Sequence, residues 1–128
     1  MWRRVLGPAL ASAALVAAGC GPATDVDAPP PSAPAGGAVI VARNIAFDRT
    51  ELAVPADRRF QLLFENREGP PHNVTILDGA AGEPLFVGEV FGGPGSRAYD
   101  VPPIPEGSHR FRCDVHQDMA GTVLARSG

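Results

Sequence analysis

The chain has 128 residues, a net charge of −3 and 20% charged side chains. A mildly acidic chain without a basic run lacks the electrostatic footprint of a nucleic-acid binder, so no nucleic acid is expected as partner. All 11 basic residues are Arg, which excludes chemistry built on a Lys nucleophile or a P-loop Lys.

Residues 1–20 read as an export signal. Arg3 and Arg4 give a positive start, and Val5 to Ala18 form an apolar stretch too short to span a bilayer. The ending Val16-Ala17-Ala18-Gly19-Cys20 resembles a bacterial lipobox, which implies lipidation of Cys20 and a membrane anchor through it. An ordinary cleaved signal, or a Cys20–Cys113 disulfide in an oxidising compartment, are the alternatives. Residues 21–37, rich in Pro, Ala and Gly, read as a disordered tether, extended and semi-rigid. The expected location is therefore outside the cytoplasm, on the outer face of the cytoplasmic membrane or in the periplasm.

Residues 38–128 remain for one domain. Its apolar runs are short and broken by Pro, Gly, Asp or Asn, and no sustained helical period is found. Strands are predicted over Ala38–Arg43, Glu51–Val54, Arg58–Glu65, His72–Leu77, Ser96–Asp100, Ser108–Cys113 and Gly121–Arg126, with a short one around Leu85–Val90. In the sixth of these, His109, Phe111 and Cys113 alternate with Arg110 and Arg112, so the Arg pair faces water while Phe111 and Cys113 point inward. Seven to eight short strands with turns between them suggest an all-β Greek-key sandwich or barrel.

The scarcest residues cluster. Cys113, His116 and Met119 follow one another at intervals of three before Gly121, and His72 lies in Pro70-Pro71-His72-Asn73. A lone Cys or Met is most often core filler and a lone His most often a satisfied or surface residue. Together they offer a thiolate, two imidazoles and a thioether, which matches the trigonal His₂Cys site with a weak axial Met used for one copper ion. Met is a poor ligand for structural zinc, the single Cys of the domain excludes a binuclear thiolate-bridged centre, and the usual protease and esterase motifs are absent, so no enzyme is expected.

In these residues the chain resembles the cupredoxins, the small blue copper proteins. The C-x-x-H-x-x-M spacing is similar to that of amicyanins, and Asn44–Asn73, with Val54-Pro55 and Phe64-Glu65-Asn66 ahead of His72-Asn73, is similar to the corresponding part of the family. The resemblance implies a Greek-key β-sandwich of the amicyanin and plastocyanin kind with copper at one end. It assigns Cys113, His72 and His116 as strong ligands and Met119 as the weak one. Asn73 would tie the two ligand loops together by hydrogen bonds. Gln117 and His109 depart from the family pattern, which usually has Pro and Tyr there. The implied function is a monomeric, membrane-tethered one-electron carrier serving redox partner proteins that the sequence does not name. Val115, Pro70, Pro71 and Met119 are expected to form an apolar rim around His116. A copper-handling module, acting as buffer, chaperone or sensor, is the alternative function.

Overall fold

The computed structural model describes residues 27–128, so the signal segment, Cys20 and the first part of the tether lie outside the described residues. Nine strands are found there: β1 (Ala38–Arg43), β2 (Ala46–Phe47), β3 (Glu51–Pro55), β4 (Phe60–Asn66), β5 (Thr75–Leu77), β6 (Pro84–Val87), β7 (Gly95–Val101), β8 (Gly107–Arg112) and β9 (Ala120–Arg126). They form two sheets in the orders β2-β1-β4-β7 and β3-β9-β8-β5-β6. The pairs β1–β4 and β3–β9 are parallel and the others antiparallel. No helix of the described residues is long and apolar enough to cross a membrane.

Alternation along the strands decides which side chains meet between the sheets. β4 buries Phe60, Leu62, Phe64 and Asn66, and β8 buries His109 and Phe111 while Arg110 faces out, as the sequence pattern requires. Ile40, Leu62, Phe64, Ile76, Phe111 and Val123 are fully buried in the shared core. Each such side chain contributes about 1.5–3 kcal/mol on removal from water. Phe47 tilts against Phe111, and Phe64 meets Phe91 edge-on, with ring centroids 5.3 and 5.5 Å apart.

β1 departs from alternation: Ala38 to Ala42 are all buried. Its outer face borders the Pro-rich segment, since Asp27 to Pro30 line one groove with Val41, Arg43 and Phe47. Arg67 donates to the carbonyls of Ala28 and Pro29, and Arg43 pairs with Asp27. The described part of the expected tether thus touches the domain.

One strand found was not predicted, and one predicted strand starts later than expected. β2 is only two residues long and carries no readable pattern. The strand expected over His72–Leu77 begins at Thr75. Pro70 and Pro71 ahead of it cannot donate to a ladder, and His72 instead makes an isolated bridge to Phe91, with N–H···O distances of 3.1 and 3.2 Å.

Candidate metal centre

Strand pairing brings the site together. β5 runs antiparallel to β8 with Thr75 opposite Arg112, so stepping back from Thr75 to His72 and forward from Arg112 to Cys113 reaches the same sheet end. β8 and β9 pair up to Arg112 opposite Ala120, which leaves residues 113–119 to close that end as a loop. Two backbone bonds curl it: Cys113 N–H to the Met119 carbonyl at 2.9 Å, and Met119 N–H to the His116 carbonyl at 3.0 Å. Gly121 follows because the Phe111 ring and the Thr50 carbonyl occupy the space of a side chain there, the carbonyl 2.6 Å from where a Cβ would sit.

His72 Nδ1, His116 Nδ1 and Cys113 Sγ converge. The sulfur lies 3.8 Å from His72 Nδ1 and 4.0 Å from His116 Nδ1, and the two nitrogens are 3.1 Å apart. A point equidistant from all three lies about 2.1 Å from each, against first-row metal distances of roughly 2.0–2.3 Å to imidazole and thiolate. Two imidazole nitrogens and a thiol sulfur crowded at this spacing are relieved by one cation between them. The donor set of two imidazoles, one sulfur and a neighbouring thioether residue fits one copper ion.

Burial differs among the four residues. His72 and Cys113 are fully buried and Met119 is 3% exposed, whereas His116 is partly exposed. Cys113 is a free thiol. Of the residues expected to form a rim around His116, Pro70, Pro71 and Val115 are exposed, Val115 by 45%, but Met119 is buried and does not join them. The reason is its backbone bonding, which turns the end of the loop back toward Cys113.

Asn73 occupies the tying position expected of it. Its Oδ1 accepts the Asp114 N–H at 2.8 Å, and its Nδ2 donates to Asp114 Oδ2 at 2.8 Å and to the Gly88 carbonyl at 3.1 Å. Thr75 donates its hydroxyl to the same Asp114 oxygen at 2.6 Å. Burial works against ionisation of Asp114, yet bonds from Asn73, Thr75 and Arg112 outweigh it and hold the carboxyl below its ordinary value.

Sequence reasoning missed a second carboxylate. Glu68 Oε1 lies 2.7 Å from His72 Nε2 and also accepts the Ile45 N–H, while Oε2 accepts the Asn44 N–H. Partial burial raises its pKa, but the bonds from Ile45, His72 and Asn44 more than offset this and leave the net shift downward. The available signal was a Glu four residues ahead of the first His. Its remaining partners lie more than twenty residues upstream.

His109 is not a ligand. It is buried inside the sandwich, where Nδ1 accepts the Gly79 N–H at 3.0 Å and Nε2 donates to the Pro105 carbonyl at 2.7 Å. It thereby bonds two loops across the sheet, a polar role in the place where Tyr was expected.

Comparison with known proteins agrees with this geometry. The model of the family described as Cupredoxin-like domain matches residues 10–125. Amicyanin from Paracoccus versutus superposes with a TM-score of 0.56 and 27% identity over 73% of this chain and 84% of its own. Auracyanin from Roseiflexus castenholzii gives 0.62 at 19% identity, covering 69% and 94%. Auracyanin A from Chloroflexus aurantiacus, described as a "blue" copper protein, gives 0.61 at 19% identity, covering 69% and 96%. No curated protein sequence matches the chain. With the family model spanning most of its length and two β-sheets packed around a His₂Cys cluster at one end, the chain belongs to the cupredoxin family.

Proposed function

We propose that the protein is an exported, lipid-anchored one-electron carrier of the type 1 copper kind, with His72, Cys113 and His116 as strong ligands and Met119 as the weak axial one. The observation that carries this reading is the triangle of two imidazole nitrogens and one thiol sulfur, with sides of 3.1, 3.8 and 4.0 Å and a centre about 2.1 Å from each atom. The likeness to amicyanin, described in its reduced Cu(I) form, supports it. Copper bound there supplies a Cu(II)/Cu(I) couple that a thiolate and two imidazoles suit in both states.

The residues divide the work. His72 and Cys113, fully buried, exclude water and keep their donor atoms in place. His116 joins the site to the surface, and its ring edge is the route for an electron between partner and centre. The exposed Val115, Pro70 and Pro71 around it form a small apolar rim, suited to brief contact with redox partner proteins. Cys20, lipidated, holds the domain at the membrane, and the Pro-rich segment sets its reach.

The test is to load the protein with Cu(II) and record visible and electron paramagnetic resonance spectra, then the self-exchange rate. An intense thiolate-to-copper band, narrow hyperfine splitting and fast self-exchange are expected. A pale Cu(II) product would sink the ligand assignment. Slow self-exchange with ready release of Cu(I) to a chelator would replace the carrier by a copper-handling module.

A further inference from the structure

The turn joining β1 to β2 has only two residues, Asn44 and Ile45, and both have positive φ, 56° and 53°. Positive φ at both positions gives the twist an antiparallel hairpin needs, and Asn-Gly is the usual solution. A β-branched Ile there is an outlier, and such backbone costs about 1–3 kcal/mol unless the surroundings enforce it. Here the surroundings are one carboxylate. The conformation aims two successive N–H groups at Glu68, Asn44 to Oε2 at 2.9 Å and Ile45 to Oε1 at 2.8 Å. Successive N–H groups converging on one anion form a concave anion-binding arrangement.

The rest of the loop fixes Glu68 from the other side. Its own N–H donates to Asn66 Oδ1 at 3.0 Å, and the fully buried Asn66 donates to the carbonyls of Pro70 and Phe91. The carboxylate is 17% exposed and touches an imidazole that is wholly buried. An ionised carboxylate only accepts, so the proton between Glu68 Oε1 and His72 Nε2 belongs to the ring. Nε2–H leaves Nδ1 with its lone pair, and Nδ1 is the atom facing Cys113 and His116.

We propose that Glu68 is a positioning residue of the copper centre: clamped by the Asn44–Ile45 turn, it holds His72 as the Nε2–H tautomer and biases the couple toward the oxidised state. The inference rests on the assignment of His72 as a ligand. A carboxylate behind a ligating imidazole increases its electron donation, and the more highly charged ion gains more from that. The surface turn, remote in sequence from every ligand, thereby becomes part of the site. The strained turn and the buried loop would have a purely structural meaning only if the carboxylate's charge did not reach the metal.

The experiment compares the full chain with Glu68→Gln and Glu68→Asp. Gln keeps the size, but its amide turns a donor toward either His72 or the turn. With copper bound, Glu68→Gln is expected to keep its colour and lose at least tenfold more affinity for Cu(II) than for Cu(I), which raises the potential by about 59 mV. Glu68→Asp recovers part of this because the charge returns. In the metal-free protein, nitrogen shifts of the His72 ring are expected to report Nε2–H in the wild type and a mixture in Glu68→Gln. An unchanged or lowered potential in Glu68→Gln, or an Nδ1–H ring in the wild type, overturns the proposal. Should Glu68→Gln fail to fold, Glu68→Asp and the wild-type tautomer decide it. Should the wild type fail to give the blue spectrum, the ligand assignment is at fault, and the metal-free tautomers still decide the role of Glu68.

Discussion

Replacing Asp114 by Ala tests how the two ligand loops are held together. The carboxylate receives three bonds, from Asn73 at 2.8 Å, Thr75 at 2.6 Å and Arg112 at 3.2 Å. The Arg112 contact is between groups 39% and 33% exposed and contributes little. The other two donors are 0% and 1% exposed; truncation strands the hydroxyl proton of Thr75, while Asn73 Nδ2 keeps the Thr75 oxygen at 3.3 Å and the Gly88 carbonyl at 3.1 Å as acceptors. Leaving a buried donor unsatisfied costs about 1–3 kcal/mol. Water can reach the space vacated by a side chain one-third exposed, which places the cost in the lower half of that range. The expected loss is therefore about 1–2 kcal/mol of stability in the metal-free protein.

The assay is urea denaturation of the metal-free protein, read as a lower midpoint at unchanged slope. Thr75→Val in the Asp114→Ala background supplies the control, because Val removes the stranded hydroxyl. The double variant is expected to recover about 1 kcal/mol relative to the sum of the single ones. Asn73 Oδ1 keeps the Asp114 backbone N–H in every variant, so the loops stay tied and the protein still folds. A loss below about 0.5 kcal/mol in Asp114→Ala, or strict additivity with Thr75→Val, would refute the claim that a buried donor depends on this carboxylate.

Gly121→Ala would force a methyl group against the fully buried Phe111 ring and to 2.6 Å from the Thr50 carbonyl, which itself accepts the Thr122 N–H. Neither neighbour can yield easily, so a loss of about 3 kcal/mol is expected by denaturation, and a neutral result would contradict the packing described. His109→Ala removes the partner of the Gly79 N–H and of the Pro105 carbonyl. A loss of about 2 kcal/mol is expected with the copper spectrum unchanged, and bleaching of the charge-transfer band would contradict its exclusion from the metal site.

What could be read in the sequence and what could not divides by range. The alternation of His109, Arg110, Phe111, Arg112 and Cys113 is a local signal, and β8 obeys it. The Cys113–His116–Met119 loop was legible because scarce residues sit close together. β2 was missed because two residues carry no period, and β1 conceals alternation because residues 27–30 border its outer face. The placing of Met119 on the surface rim failed because intervals of three say which residues curl together and not which side faces in. Glu68 escaped notice for the same physical reason that makes it interesting: its partners at Asn44 and Ile45 are supplied by the folded sheet.

The distribution of restraints among the ligands follows from where the chain enters the site. Cys113 continues directly from β8 and inherits its rigidity. Met119 is pinned through the Cys113 N–H one residue before β9 resumes pairing. His72 comes from a non-strand segment after two prolines, so nothing in its own backbone pattern fixes it, and it receives the most outside support. Phe91 bonds its backbone on both sides, Asn73 and Asp114 tie its loop to that of Cys113, and Glu68 holds its ring. Among the described residues, His116 gains as outside support only the Met119 N–H on its carbonyl, and it stands in the middle of the loop, partly exposed. The chain thus braces the imidazole that must not move and leaves the other at the surface. Under the proposed carrier function, an electron needs one well-ordered path to the outside, and a redox partner needs a contact it can quickly leave. Placing both demands on His116 would let the remaining donors stay dry and fixed, and would confine any rearrangement that accompanies transfer to one side of the site.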